Sequence, residues 1–364
     1  MSKNHRLQRL QQVMVQTEVD LVVLWPSANW IYLVGHAPIA VERPTFLMVS
    51  RDHVCAVVPA FDQQELIDKT GLADVFAWDD AQGPPAAIKK ALHRVTGEKV
   101  QTMALDDTLP FGYLKALEPH ICGVQTRLAS EAMTVLRRTK DPEEIAAVRK
   151  TARLIERVLE KADTVFRPGV TEKQVELNLK ALLLEDGAET LDFVLVQTAP
   201  NSAHPHHLPG SAAVKEGEPV LLDIAVSTGG YYADITRQVC LGRPGPKYQT
   251  VYAIVRRAQE AALEAVTPGR AVSIIDRTAR GIISEAGMGP FFTTRTGHGL
   301  GLEVHEPPSV AEGNDLLLTP GMVFTIEPGI YLQGEFGIRI EDTVAVTEGG
   351  VERLTVSDRE LMVL

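Results

Sequence analysis

Residues 219–236 have the sequence PVLLDIAVSTGGYYADIT, in which two apolar runs flank a short polar segment that ends in two glycines. The apolar runs favour β-strands, and glycines accept the positive φ angles that a tight hairpin turn requires. With the turn centred between Thr228 and Gly229, Asp223 and Asp234 face each other directly on one side of the hairpin. We therefore expect two carboxylates about 5 Å apart, where their charges repel.

A second strand-like segment repeats this arrangement with two glutamates. Glu327 follows residues 324–326, and Glu341 follows residues 338–340. Folding this segment about Gly334 places the two glutamates opposite each other. One buried pair of carboxylates can share a proton, but two such pairs require cations.

A histidine completes the candidate metal ligands. His298 lies between Gly297 and Gly299, which let the backbone and a substrate approach a metal closely. Two divalent cations balance the charges of four carboxylates, and a donor set of oxygens with one nitrogen suits Mn²⁺, Co²⁺, Fe²⁺ or Zn²⁺. A single acidic residue is most often exposed, so the prediction depends on the two mirrored pairs. The predicted ligands are Asp223, Asp234, His298, Glu327 and Glu341.

The segments around these ligands resemble the successive motifs of the pita-bread metallopeptidases. Within this family the chain is most similar to the Xaa-Pro peptidases, which are prolidase and aminopeptidase P. The resemblance runs from about residue 135 to the C-terminus and extends more weakly over the N-terminal third, chiefly through residues 29–35. The six motifs lie at residues 201–207, 221–223, 233–237, 297–306, 326–331 and 339–342.

This resemblance implies an α+β protein with two domains. Residues 1–130 are expected to form a smaller α/β domain of the creatinase/prolidase type. Residues 131–364 are expected to form a catalytic domain with the pita-bread fold and its pseudo-two-fold repeat. The resemblance also implies a homodimer in which the N-terminal domain helps to close the site.

Patterns in the first third of the chain agree with an α/β domain. Helical periodicity covers residues 7–15, and strand-like runs occupy residues 19–24, 45–49 and 54–58. A strong helix start follows near the expected boundary, where Asp141 fits the N-cap and the residues after it complete a capping box.

The second part of the chain contains a sign of internal duplication. Residues 167–171 and 267–271 each carry a Pro-Gly pair. Each precedes a predicted helix, over residues 172–184 and 274–285 respectively. Since each half also supplies one hairpin with two carboxylates, we expect the metals to lie between the halves.

The family resemblance implies how the ligands divide between two metal ions. Asp223 would bind one ion, His298 and Glu327 the other, and Asp234 and Glu341 would bridge both. A hydroxide that bridges the ions would attack the carbonyl carbon of the scissile amide. Mn²⁺ is the expected metal.

Further catalytic and substrate-binding residues also follow from the resemblance. His206 and His305 would flank the metals and hold or protonate the substrate around the scissile amide. Glu327 would accept and return the proton of the nucleophilic water. Tyr331 is expected to support the site, and Arg339 is a candidate partner for a substrate carboxylate.

The expected substrates are short peptides with proline after the scissile bond, and an Xaa-Pro dipeptidase is the preferred assignment. Some prolidases hold the dipeptide carboxylate with an arginine after the second histidine, and residues 306–310 contain none. An Xaa-Pro aminopeptidase therefore stays open as the alternative. A hydrolase of non-peptide amides on this fold also stays open, as does a binding protein without catalysis, although that reading predicts lost ligands.

Composition excludes several classes of partner. A chain of 364 residues with 45% hydrophobic content can form two domains with apolar cores. A formal net charge of −11 argues against nucleic acid or an anionic membrane as a partner, because both would repel the protein. No stretch is long enough to span a bilayer, and three widely separated cysteines are typical of a reduced, cytoplasmic protein.

Overall fold

The chain folds into two units, Met1–Arg137 and Arg138–Leu364, in a computed structural model that describes residues 3–97 and 100–364. The mixture of helices and strands in both units confirms the α+β class expected from the sequence. Within the described residues, none of the helices is both long and apolar enough to cross a membrane.

A mixed six-stranded sheet organises the described part of the first unit. Its strands are β1 (Leu21–Leu24), β2 (Phe46–Ser50), β3 (Val54–Pro59), β4 (Val75–Trp78), β5 (Thr102–Leu105) and β6 (Gln125–Leu128), in the order β4-β3-β2-β1-β5-β6. The helices are α1 (Lys3–Gln16), α2 (Ala28–Val34), α3 (Gln63–Thr70), α4 (Pro85–Thr96), α5 (Phe111–Leu117) and α6 (Ser130–Arg137). The predicted helix and the three predicted strands of this region are confirmed.

The second unit contains helices and mostly antiparallel strands. The helices are α7 (Pro142–Leu159), α8 (Ala162–Val165), α9 (Glu172–Glu185), α10 (Pro246–Glu264) and α11 (Ser273–Glu285). The strands are β7 (Thr190–Thr198), β8 (Pro219–Thr228), β9 (Tyr231–Cys240), β10 (Gly297–Gly299), β11 (Glu306–Val310), β12 (Val323–Ile326), β13 (Gly329–Leu332), β14 (Phe336–Arg339), β15 (Asp342–Thr347), β16 (Gly350–Arg353) and β17 (Met362–Val363). They form sheets with the orders β17-β9-β8-β7, β11-β10-β12-β15-β16 and β13-β14, in which β17 pairs with β9 in parallel.

Helix α7 begins at the predicted position. The carboxylate of Asp141 accepts hydrogen bonds from the backbone N–H groups of Glu143 and Glu144. In return, Glu144 Oε2 accepts from Asp141 N at 2.9 Å. This reciprocal capping box satisfies N–H groups that the first helical turn leaves without partners.

The predicted internal duplication is visible in the backbone hydrogen bonds. Gly169 N donates to Val214 O, and Gly269 N donates to Leu318 O, each at 2.8 Å. Two residues further on, Thr171 forms an isolated antiparallel bridge with Ala213, and Ala271 forms the equivalent bridge with Leu317. The helices α9 and α11 follow at the predicted places. The two halves are therefore built on one local pattern.

Each half has its own apolar core. Helices α7 and α9 pack against the β7–β9 sheet through residues such as Ile155 and Leu222. Helices α10 and α11 pack against β12 to β15 through residues such as Val255 and Phe324. Strands β9 and β15 join the halves.

The β8–β9 hairpin places its two aspartates on one face, but not opposite each other. Asp223 pairs with Thr236, two residues beyond Asp234, so the aspartates are diagonal neighbours. The expectation of a directly opposed pair was wrong, because Gly229 and Gly230 form the turn with φ angles of +62° and +76°. A two-residue turn of this type needs positive φ at both positions, which centres it between the two glycines.

The two glutamates follow the predicted register about Gly334. β12 pairs with β15 and β13 pairs with β14 in one continuous register, in which Ile326 faces Asp342. Glu327 and Glu341 lie between these two ladders, at positions that this register sets opposite each other. The second hairpin thus brings both glutamates to the same place.

Gly229→Ala should lower the free energy of unfolding by about 1–2 kcal/mol, because alanine is sterically disfavoured in the left-handed region. A Cβ at Gly229 meets no atom within 4 Å, so the backbone conformation alone determines the loss. Gly229→Asn is the matched control, since asparagine adopts this conformation more readily. Urea denaturation of both variants measures the difference, and equal losses would argue against the assigned turn.

Candidate metal centre

Candidate metal ligands from both hairpins and from β10 converge inside the second unit. One side-chain atom from each of Asp234, His298 and Glu341 lies within 4.8 Å of the other two. His298 Nε2 is also 3.2 Å from Glu327 Oε1 and 3.8 Å from Asp234 Oδ2. Asp223, Asp234, His298 and Glu341 are buried, whereas 16% of the Glu327 side chain is exposed.

The surrounding protein compensates the charges of the two central acids only in part. Burial, followed by the charge of Glu341, raises the pKa of Asp234 well above its ordinary value. Burial, followed by the charge of Glu327, raises the pKa of Glu341 in the same direction. Asp234 Oδ1 and Glu341 Oε1 are buried without a hydrogen-bond partner among the described residues. Oxygens of this kind beside an imidazole nitrogen fit divalent cations.

Glu327 is held in its ionised form. Burial raises the pKa of Glu327, but the hydrogen bond and charge of His298, the charge of Arg339 and the hydrogen bond from Thr325 together lower this pKa below its ordinary value. Thr325 Oγ1 also donates a hydrogen bond to Glu327 Oε1 at 2.9 Å. Glu327 is therefore a carboxylate at neutral pH, with part of its surface open to solvent.

Two threonines connect the ligands, and the sequence analysis assigned neither of them a role. Thr236 Oγ1 lies 3.0 Å from Asp223 Oδ1 and 2.6 Å from Glu341 Oε2. Thr325, on β12, contacts Glu327 just beyond the end of the same strand. Each threonine stands two residues from an acidic ligand, and side chains two apart on a strand share one face. That spacing was the signal available in the sequence.

Arg339 is buried among the ligands rather than exposed to a substrate. Its Nη2 donates to Asp223 Oδ2, its Nη1 to Tyr331 Oη at 2.8 Å, and its Nε to Thr236 Oγ1 at 3.0 Å. Only 4% of its side chain is exposed. These contacts favour a role for Arg339 in orienting Asp223 and Tyr331. The substrate contacts predicted for Arg339 and Tyr331 stay predictions.

The ligands face a cavity of about 540 Å³. His206 and His305 line this cavity, as do Arg339 and Tyr331. The rings of His305 and His298 meet edge to face, with their centroids 4.1 Å apart. Burial, followed by the charge of His298, lowers the pKa of His305 to about 4, so its imidazole is neutral at pH 7. All the residues predicted for the site thus border one cavity.

Comparison with known families gives a match for each unit. Residues 146–348 match Metallopeptidase family M24, and residues 6–139 match the Creatinase/Prolidase N-terminal domain. All five predicted metal ligands lie within the first of these matches.

Similar individual proteins span almost the whole chain. The Xaa-Pro dipeptidase of Lactobacillus helveticus is 32% identical over 367 residues, which cover 98% of both sequences. The prolidase from Thermococcus sibiricus has a TM-score of 0.95 at 34% identity, with 100% of both chains covered. The X-Pro aminopeptidase from Thermotoga maritima has a TM-score of 0.85 at 28% identity, covering 98% of this chain and 100% of its own.

Asp234→Asn should stabilise the metal-free protein and reduce the stabilisation that Mn²⁺ provides. Asparagine removes a buried charge whose Oδ1 has no hydrogen-bond partner in the described part of the chain, and it is also a weaker metal ligand. A metal at 100 times its Kd stabilises the wild type by about 2.7 kcal/mol, most of which the variant should lose.

Thermal unfolding in EDTA and then in excess Mn²⁺ measures both effects. Asp315→Asn, which alters an exposed aspartate, is the matched control. It should change neither the melting temperature in EDTA nor the increase in melting temperature on adding Mn²⁺. An Asp234→Asn protein that gains as much from Mn²⁺ as the wild type would remove Asp234 from the ligand set.

Proposed function

Because the chain belongs to metallopeptidase family M24, we propose that it is a metal-dependent Xaa-Pro dipeptidase. The observation that carries this proposal is the buried group of Asp234, His298 and Glu341 beside a cavity of peptide size. Relatives named Xaa-Pro dipeptidase and prolidase, which align over nearly the whole chain, support it. The proposed reaction is hydrolysis of the amide bond between the first residue and proline.

Two divalent metal ions are the proposed cofactors, with Mn²⁺ expected and Co²⁺, Zn²⁺ and Fe²⁺ as alternatives. Asp223 would hold one ion, His298 and Glu327 the other, and Asp234 and Glu341 both. One oxygen each of Asp234 and Glu341 has no hydrogen-bond partner in the part of the chain that the structure describes, which supports this assignment. When bound, the ions would acidify a water molecule and polarise the scissile carbonyl group.

Glu327 is the proposed proton carrier. It is ionised at neutral pH, and Thr325 fixes its Oε1 at 2.9 Å. Its partial exposure leaves it accessible from the cavity, so it can accept a proton from water and return it to the leaving nitrogen.

His206 and His305 are proposed to hold the substrate around the scissile amide. Both line the cavity, and the edge-to-face contact with His298 keeps His305 next to the ligands. A neutral imidazole such as that of His305 can donate a hydrogen bond to the carbonyl oxygen as negative charge develops on it.

The apolar part of the cavity is the proposed pocket for the substrate side chains. Phe193, Leu195, Pro205 and Leu208 line the same cavity as the ligands. An Xaa-Pro bond is a tertiary amide without an N–H, so the proline ring itself can be recognised only by its shape and apolar surface. An apolar wall beside the metal ligands meets this requirement.

An Xaa-Pro aminopeptidase is the second candidate. The likeness to the X-Pro aminopeptidase from Thermotoga maritima, which covers 98% of this chain, favours it. Both candidates use the same ligands and differ in whether the chain continues beyond proline.

A homodimer in the cytoplasm is the proposed state of the protein. The family resemblance supports the dimer, and the three free cysteines are consistent with a reducing compartment. Light scattering should give the mass of two chains, and the mass of one chain would contradict the dimer.

With Mn²⁺ present, the protein should cleave Ala-Pro and leave Ala-Pro-Ala and Met-Ala-Ser intact. Chromatography of the products measures the rate at which each of the three peptides is cleaved, from the proline and the free amino termini that are released. Cleavage of Ala-Pro-Ala would favour the aminopeptidase, and cleavage of Met-Ala-Ser alone would indicate a methionine aminopeptidase.

Glu327→Gln should reduce kcat for Ala-Pro by about 10²- to 10⁴-fold, which is the usual contribution of general acid–base catalysis. Glutamine keeps an oxygen ligand but cannot accept the proton. Metal content measured on the same sample separates loss of metal from loss of the base. Glu312→Gln, an exposed glutamate outside the cavity, is the control. Turnover within tenfold of wild type in the metal-loaded variant would exclude Glu327 as the proton carrier.

A further inference from the structure

Glu172 is a buried acid outside the candidate metal centre, and it does not line the cavity that the candidate ligands face. It is the first residue of α9, where an acidic side chain is usually exposed and interacts favourably with the helix dipole. The Glu172 side chain is instead fully buried, so its charge needs hydrogen-bond donors from the protein. Those donors identify the part of the chain that this carboxylate stabilises.

The Glu172 carboxylate joins the two ends of one loop, residues 198–210. Its Oε1 accepts hydrogen bonds from Thr198 N at 2.7 Å, from Thr198 Oγ1 at 2.8 Å and from Asn201 Nδ2 at 3.0 Å. Its Oε2 accepts from Gly210 N at 3.0 Å, and His207 Nε2 lies 3.8 Å from the same oxygen. Hydrogen bonds to an ionised carboxylate are stronger than those between neutral groups. A single buried charge therefore holds both ends of the 198–210 loop.

Gln197 holds the middle of the same loop. Its side chain is fully buried, and its Nε2 donates to Pro205 O at 3.2 Å and to His207 O at 2.8 Å. These two carbonyl groups belong to the residues on either side of His206. Gln197 Oε1 has no hydrogen-bond partner among the described residues, so the amide contributes to the fold through its N–H donors. One side chain thus fixes the backbone before and after His206.

The 198–210 loop carries three side chains that line the cavity, which are Pro205, His206 and Leu208. Glu172 and Gln197 do not line it. An effect of these two buried residues on a substrate in the cavity therefore has to pass through the loop.

We propose that Glu172 and Gln197 are positioning residues, which hold His206 in place beside the candidate metal ligands. His206 lies in neither a helix nor a strand, so the hydrogen bonds of regular secondary structure do not fix it. A group that contacts the reacting part of a substrate has to be held to within a fraction of an ångström. The two buried side chains provide this order. The inference rests on the proposed function for what His206 does, and on the hydrogen bonds alone for how His206 is held.

The kinetic test changes the two side chains separately in the Mn²⁺-loaded enzyme. Glu172→Gln keeps one acceptor oxygen and replaces the other by an amide group, so Thr198 and Gly210 can no longer both be bound. Gln197→Met removes both donors to the loop and keeps an uncharged side chain of similar length. Each variant should lower kcat/KM for Ala-Pro by about 10- to 100-fold, which is the size of effect expected when a substrate-contacting group is misplaced. Metal content should stay at the wild-type value.

A double-mutant cycle shows whether the loss passes through His206. In a His206→Ala background, Glu172→Gln and Gln197→Met should each change kcat/KM by less than about threefold, because residues that act through one group are not additive. A role in stability alone would give the same loss in both backgrounds, and that result would overturn the proposal.

Glu176→Gln is the matched control on the same helix. Glu176 is also buried, but its carboxylate pairs with Lys173 at 2.5 Å and Lys180 at 2.6 Å, both on α9. It does not line the cavity. The control should keep kcat/KM within about threefold of the wild type. A loss as large as that of Glu172→Gln would show that any buried glutamate of α9 has this effect, which contradicts the proposal.

Hydrogen exchange tests the positioning without any turnover. In Glu172→Gln and Gln197→Met, the backbone amides of residues 199–210 should exchange at least about tenfold faster than in the wild type, while those of β8 and β9 keep their rates. If the wild type cleaves no peptide but the loop exchanges faster in both variants, the proposed function is wrong and the positioning of His206 stands. If the loop amides keep their wild-type rates in both variants, the positioning is refuted, whatever the activity.

Discussion

The burial of several carboxylates at one place is the constraint on which the second unit depends. Asp234 and Glu341 are 2% and 1% exposed, and burying an unpaired ion costs several kcal/mol even after relaxation. The surrounding strands therefore supply polar partners, which are the hydroxyl of Thr236 for Glu341 and the guanidinium of Arg339 for Asp223. They also approach closely, since a Cβ at Gly297 would collide with the backbone oxygen of Thr325.

A buried ion pair between Arg237 and Asp342 stabilises the strands next to the candidate ligands, on the opposite face of those strands. Arg237, which follows Thr236, donates from Nη2 to Asp342 Oδ1 at 2.7 Å, and Asp342 follows Glu341. Because neighbouring residues of a strand point to opposite faces, this pair lies on the face away from the ligands. From α10, Gln259 Nε2 donates to Asp342 Oδ2 at 2.9 Å. Breaking such a pair costs about 3–5 kcal/mol, so it holds β9 and β15 in one relative position.

The sequence predicted which side chains border the cavity better than it predicted the contacts between them. The predicted register about Gly334 was correct because a single glycine marks that turn. In the first hairpin two adjacent glycines allowed two positions for the centre of the turn, and the predicted position was the wrong one. The capping box at Asp141 was predictable because it depends on residues close in sequence. The contacts of Thr236 and Arg339 depend on strands about a hundred residues apart, and local patterns do not encode such distances.

Arg339 changes the charge balance that the ligands alone would set. Four carboxylates and two divalent ions would cancel, with a neutral imidazole beside them. The buried guanidinium of Arg339, bonded to Asp223, adds one positive charge to this group. Hydrolysis of an amide builds negative charge on the carbonyl oxygen, and a positive site shielded from water stabilises that charge. In the proposed reaction the charge of Arg339 would act in this way without touching the substrate, because its nitrogens are engaged by the protein.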